Sequence, residues 1–247
     1  MSRWLADETP PRVGVSACLL GREVRHDGGH KRDSVLVDVL GPHVEWVPVC
    51  PEVELGMGVP RPPIRIEERA GELRLLEPRS GADQTRAMTR FAARRVRELE
   101  RLGLCGYVLK KDSPSCGLER VPVWRANGRA TRTGRGLFAA ALLERMPALP
   151  VEEEGRLADP AVRVSFVARI FAYRRLRALF GGRWTLGELA EFHSAHEPLL
   201  LAHDEAEAGA LGRLVARART YARAELRARY IARFMNTLAR GLHRSRP

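Results

Sequence analysis

Up to about residue 155 the apolar positions switch between two rhythms. Short runs suited to strands occupy Arg12-Val13-Gly14-Val15-Ser16, Val44 to Val49, and Cys105 to Leu109. Between them lie helical stripes. Asp33 to Leu40 predicts a short amphipathic helix capped by Asp33. Asp83 to Leu102 predicts a long one, with Met88, Phe91, Ala92, Val96 and Leu99 on a single face and Gly103 as its stop. A third helix is predicted from Gly136 to Arg145. Ile64 to Glu67 and Glu72 to Leu76 alternate around Arg69-Ala70-Gly71, the pattern of a β-hairpin. Strands interleaved with helices imply an α/β fold with a mostly parallel sheet and flanking helices.

Pro147, Pro150 and the acidic run Glu152-Glu153-Glu154-Gly155 mark a boundary, and after Asp159 the strand signal stops. Phe166, Ile170, Tyr173 and Leu176 form a helical stripe, as do Leu186, Leu189 and Phe192, and later Leu211, Leu214, Val215 and Ala218. Tyr221 to Leu238 continues helical. The division expected is an α/β domain over 1–158 and a smaller all-α domain over 159–247. Pro198 is expected to end the helix that carries His193 and His196. Those two, with His203, lack the firm third ligand of a metal site.

Composition narrows the class. With 45% apolar and 29% charged residues the chain is an ordinary globular protein. No apolar run reaches the roughly 18 residues of a membrane span, so no membrane partner is expected. Met1 to Asp7 has no apolar leader, which makes the cytoplasm the expected compartment. The net charge of +12 favours a polyanionic partner. Its distribution sharpens this: Ala210 to Pro247 holds ten arginines and one acid, Glu225. Arg213 and Arg217, Arg223 and Arg227, and Arg229 and Arg233 stand four apart, the spacing of one helix face. Leu211, Leu214, Val215, Ala218, Ala222 and Leu226 fall largely on another. No Walker loop and no G-x-G-x-x-G occurs, so nucleotide-cofactor chemistry has no support.

The four cysteines form no C-x-x-C pair. Cys18, Cys50 and Cys116 nevertheless share a position: each follows a predicted strand. In a parallel sheet those strand ends lie along one edge, where open α/β folds place ligands. Three thiolates brought together imply a soft metal centre, an iron–sulfur cluster or zinc. The alternative is three buried small hydrophobes. Cys105 begins its strand and belongs to the opposite edge, as a core thiol.

The segments around these cysteines carry a resemblance. Ser16-Ala17-Cys18-Leu19-Leu20-Gly21 leads to Val24-Arg25 and Asp27-Gly28. Val49-Cys50-Pro51-Glu52-Val53 precedes Pro60-Arg61-Pro62-Pro63. Leu109-Lys110 leads to Ser113-Pro114-Ser115-Cys116-Gly117. In this order, over about residues 11–155, they resemble the TudS thiouracil desulfidases. Phe166 to Leu176 and Phe192-His193-Ser194-Ala195-His196-Glu197 are similar to the YbgA-like helical domain. The fused arrangement resembles the RudS-type desulfidases, which remove sulfur from 4-thiouridine in tRNA.

That resemblance implies a [4Fe–4S] cluster held by Cys18, Cys50 and Cys116, one iron being left without a protein ligand. It implies non-redox hydrolytic desulfuration of a thiolated uracil, giving the keto base and hydrosulfide. Glu52, two residues past Cys50, is the first choice for acid/base work. Ser113, Ser115 and Asp112 beside Cys116, and Asp27, are further candidates. Arg25, Arg61, Lys110 and Lys111 near the same edge, with Arg217, Arg223 and Arg227 in the tail, are candidates for contacting RNA phosphates. The expected substrate is tRNA or a thiolated nucleobase or nucleoside. The competing readings are a desulfidase of free thiouracil and a non-catalytic nucleic-acid-binding protein with a structural zinc site.

Overall fold

A computed structural model describes residues 9–240. Met1 to Asp7, where the leader expectation fell, and the last seven residues, with Arg244 and Arg246, lie outside the described residues. The rest divides into two compact units, residues 12–158 and residues 159–240 with 9–11. Residues 9–11 were expected with the first unit. They group with the helices, where Arg174 donates to the Thr9 carbonyl and hydroxyl.

The first unit runs β1 (Arg12–Ser16), β2 (Glu45–Val49), a one-turn helix α1 (Pro51–Glu54), β3 (Arg65–Arg69), β4 (Glu72–Leu76), α2 (Thr85–Arg101), β5 (Gly106–Leu109), β6 (Val121–Trp124), β7 (Ala130–Gly134), α3 (Leu137–Arg145) and β8 (Val151–Glu153). Four strands form a wholly parallel sheet in the order β2-β1-β5-β8. Its central strands are buried, which is why they read as continuous apolar runs. Gly14 of β1 lies against the Tyr107 ring of β5: a Cβ there would stand 2.2 Å from the ring. The stripe read on α2 is the stripe it buries, Met88, Phe91, Ala92, Val96 and Leu99, and α2 packs chiefly on α3.

A second sheet, β4-β3-β6-β7, went unread apart from its hairpin, β3 with β4. In β6, Pro122 interrupts the strand pattern, and the ladder accommodates it with a register shift at Val121/Pro122. The segment Val35–Leu40 is π-helical rather than α-helical, although Asp33 does cap it, accepting from the Leu36 N–H at 3.0 Å. The acidic run lies inside the first unit, just before the division after residue 158. Glu152 and Glu153 lie in β8, the edge strand of the parallel sheet, and Glu154 follows it, all three buried. A strand of glutamates is stable here because donors meet it: the Leu118 N–H reaches Glu153 at 2.8 Å and Arg156 pairs with Glu152 at 3.0 Å.

In the second unit Asp159 caps α4 (Pro160–Phe180) through the Ala161 N–H. Thr185 and Glu188 form a reciprocal capping box on α5 (Leu186–His203). Contrary to expectation α5 runs through Pro198, because Leu200 and His203 beyond it continue the buried face of Leu189, Phe192 and His196. Helices α6 (Glu205–Ala216) and α7 (Arg223–Ala239) complete the unit. Phe192, His196, Tyr230 and Phe234 make its aromatic centre, and His193 Nδ1 lies 3.2 Å from the Tyr230 hydroxyl. Among the described residues no helix is long and apolar enough to cross a membrane.

Candidate functional site

The strands β1, β2 and β5 are parallel neighbours, so the segments leaving their C-terminal ends share one edge. Cys18 lies in the single 3₁₀ turn after β1, and Cys50 immediately follows β2 as the residue preceding α1. Cys116 lies in the loop after β5. All three line one cavity of about 370 Å³. Cys105 precedes β5 at the other edge, its N–H bonded to the Arg12 carbonyl.

Burial pushes the Cys18 thiol up to about 11, and the neighbouring Cys50 adds to the rise while Lys110 and Arg25 oppose it. Burial likewise raises Cys50 and, most of all, Cys116, which also feels the charges of Cys50, Glu52 and Cys18. The nearby Ser16 hydroxyl works in the opposite direction. The thiols thus sit in one another's field, in a setting that favours ionisation only with a compensating cation. No three His, Cys, Asp or Glu side chains among the described residues are grouped as a single metal ion requires. The three sulfurs stand around a cavity instead. Three cysteine sulfurs lining one cavity are, by the chemistry of the donor set, suited to an iron–sulfur cluster held by three thiolates.

Beside the thiols lies an ion pair with a hydroxyl bonded to it, its arginine and serine buried and its carboxylate half-buried. Glu52, on the first turn of α1, receives Arg61 on one carboxylate oxygen, from Nε at 2.9 Å and Nη2 at 2.7 Å. Ser115 donates its hydroxyl to the other oxygen at 2.9 Å. The Arg61 side chain is 3% exposed, and its remaining Nη1 donates to the Val24 and Gly58 carbonyls. This corrects the expectation of a phosphate contact at Arg61: its donors are committed inside the protein, where they hold Glu52 and the two flanking loops. The same Val24 carbonyl accepts from the Cys50 thiol at 3.6 Å.

The Cys116 loop is fixed from both sides. Ser113 Oγ accepts the Cys116 N–H at 3.0 Å and the Ser115 N–H at 3.3 Å. The first amides of α3, at Phe138 and Ala139, donate to the Ser115 carbonyl. Gly136 permits that approach, since a Cβ on it would stand 2.4 Å from the Ser115 oxygen. Asp112 lines the cavity, but its carboxylate turns out to Arg132 at 2.6 Å, which argues against the acid/base role read for it. Asp27 does not line the cavity. It accepts the Gly29 N–H at 3.1 Å in a turn, and that bond, with Arg25, holds its carboxyl below the usual range. Lys110 faces Glu154 at 2.5 Å rather than solvent, because the Glu154 carboxylate at the end of β8 also takes the Lys111 N–H. Arg25 and the exposed Lys111 remain at the cavity rim.

Four participants escaped the sequence reading. Ser16 accepts the Lys110 N–H at 3.0 Å, and its place two residues before Cys18 was the available signal. Glu154 was hidden in the acidic run. His26 and Lys31 line the cavity and follow the Cys18 segment closely in sequence.

In the tail, the three arginines read as one set separate. Arg217 joins Arg213, Arg229 and Arg233 around a different cavity. Arg223 lies over the Trp184 ring and Arg227 over Phe180. Acids are not absent either: Arg229 pairs with Glu225 at 2.7 Å, and Arg233 and Arg240 meet Glu207 and Asp204 from the start of α6.

A model of the 2-thiouracil desulfurase family matches residues 13–154. YbbK, an uncharacterized protein of Bacillus subtilis (strain 168), is 32% identical over 133 residues, 52% of this chain and 87% of its own length. The solved structure of a [4Fe-4S]-dependent thiouracil desulfidase, TudS, is 35% identical with a TM-score of 0.50, over 63% of this chain and 98% of that one. The chain belongs to the 2-thiouracil desulfurase family.

Proposed function

We propose that this member of the 2-thiouracil desulfurase family hydrolyses the carbon–sulfur bond of a thiolated uracil, with 4-thiouridine in tRNA as its substrate. The balance is thiocarbonyl plus water to carbonyl plus hydrogen sulfide, with no electron gained or lost. The observation that carries the reading is three thiols around one cavity, with a hydrogen-bonded carboxylate beside them.

Cys18, Cys50 and Cys116 would hold a [4Fe–4S] cluster, which when bound supplies a thiophilic Lewis acid. The remaining work belongs to side chains. Arg61 holds the Glu52 carboxylate in place, and that carboxylate is the base that takes a proton from the attacking water. Ser115, bonded to the opposite carboxylate oxygen, holds its orientation and offers a hydroxyl for relaying that proton. Ser113 sets the Cys116 loop and Ser16 stabilises the Cys116 thiolate. Arg25 and Lys111 at the rim meet phosphate or the base carbonyl.

The basic helical unit supports an RNA-borne substrate, since a free base calls for no polyanion surface. A free thiouracil substrate is the second reading, favoured by the thiouracil desulfidase activity of the similar solved structure. The test is sulfide release by anaerobically reconstituted protein from 4-thiouridine-containing tRNA and, separately, from free thiouracil. Faster release from tRNA is expected; release from thiouracil alone would overturn the tRNA assignment.

A further inference from the structure

Helices α6 and α7 and the turn between them enclose a second cavity, of about 470 Å³, lined by Arg213, Leu214, Arg217, Tyr221, Arg229 and Arg233 with Ala210. Four guanidinium groups around one opening repel each other unless something negative lies between them. Two are compensated: Arg229 by Glu225 at 2.7 Å, and Arg233 by Glu207 at 3.5 Å. Arg213 and Arg217 have no acidic partner among the described residues, and both are exposed. Arg229 also lies over the Tyr221 ring, 5.2 Å from its centre, which holds the guanidinium at the cavity wall. The opening therefore presents planar, forked donors, an excess of positive charge and an apolar floor at Leu214. It contains no carboxylate–hydroxyl pair like the one at Glu52.

We infer that this cavity is a phosphate-binding pocket of the helical unit, and that it takes backbone phosphates of structured RNA. Arginine forks match phosphate oxygens two at a time, so a pocket of them recognises phosphate geometry as well as charge. Helix α7 divides its arginines accordingly. Arg229 and Arg233, one turn apart, face the pocket. Arg223 and Arg227, also one turn apart, face Trp184 and Phe180 elsewhere on the helix. The choice of RNA over a free phosphate compound rests on the reading above that the thio-base is carried by tRNA.

The test uses the full chain and an unmodified tRNA transcript, with affinity measured by fluorescence anisotropy across a series of salt concentrations. The double variant Arg213→Gln/Arg217→Gln is expected to bind at least about tenfold more weakly. Its log affinity should depend less steeply on log salt, by about two in slope, one for each lost phosphate contact. Arg213→Lys/Arg217→Lys, which keeps charge and loses the fork, should lie between. Arg86→Gln/Arg90→Gln, two exposed arginines of α2 in the first unit, should stay within about twofold of wild type. Unchanged affinity and slope in the first variant, with binding of AMP and inorganic phosphate also unchanged, would overturn the pocket, and failure of the wild-type chain to bind the transcript would overturn its RNA assignment. If the first variant loses binding of AMP or inorganic phosphate and keeps the transcript, the ligand is a free phosphate compound and the RNA assignment fails. The transcript carries no thio-base, so this result is separable from the substrate reading. Pocket-dependent binding without sulfide release from 4-thiouridine tRNA overturns that reading alone. Sulfide release with pocket-independent binding overturns the pocket alone.

Discussion

Arg61 is a buried charge and Glu52 a largely buried one, and they stabilise the site only as a pair. Removing the guanidinium leaves a carboxylate that is 14% exposed with Ser115 as its remaining side-chain partner. Loss of one member of a buried pair costs about 3–5 kcal/mol. Arg61→Ala should therefore lower the unfolding free energy of the first unit, measured by urea titration, by an amount in that range, and Arg61→Lys should recover only part of it, since lysine cannot bridge Glu52 and two loop carbonyls at once. An unchanged free energy would mean that the pair holds nothing in place. Glu52 itself was readable from its position two residues after Cys50. Its partners were not: Arg61 is nine residues away and Ser115 sixty-three, and no periodicity links such positions. Arg61 in its Pro-rich segment looked like a free surface cation, because sequence shows a charge and not the carboxylate that neutralises it.

At the scale of elements, the first amides of α3 and the Cys116 loop act as one piece through Gly136. A methyl group at that residue would meet the Ser115 backbone oxygen at 2.4 Å, and backbone cannot step aside as a flexible side chain can. Gly136→Ala should cost about 1–3 kcal/mol in an unfolding titration. It should also lower iron retention, because the loop it displaces carries Cys116. Full iron retention would show the loop to be adjustable. Helix α5 supplies a pH test. Burial lowers the pKa of His193 from 6.5, opposed by Glu197, and the ring faces the Tyr230 hydroxyl and Gly212. Below pH 6.5 the unfolded chain takes up a proton that the folded one resists, so stability falls with pH from there down to the folded-state value. His193→Gln should flatten that part of the pH–stability curve; a curve of the same slope would remove His193 as its source. Elements with one strong period, α2 above all, were legible to within a residue or two. Those that failed had a competing signal: a proline inside β6, a proline inside α5, and glutamates in β8 whose partners come from distant loops.

For the molecule as a whole, charge is arranged unevenly. The tail arginines divide between a cavity and two aromatic rings, with acids at the start of α6 compensating some of them. Composition revealed the excess but not this division, since i, i+4 spacing places pairs on a face without saying which face each pair shares with its neighbours. If the tail serves RNA, added salt should slow sulfide release from 4-thiouridine tRNA steeply and leave release from free 4-thiouridine nearly constant. Equal salt dependence for the two substrates would contradict that role.

The claim on which the rest depends is the assignment of three particular cysteines to one cluster, and iron content after anaerobic reconstitution measures it directly. The wild-type chain and Cys105→Ser should both retain iron, because Cys105 lies at the other end of β5. Cys18→Ser, Cys50→Ser and Cys116→Ser should each lose most of it. Equal iron loss in Cys105→Ser and Cys50→Ser, or a wild-type chain that takes up no iron, would contradict the account.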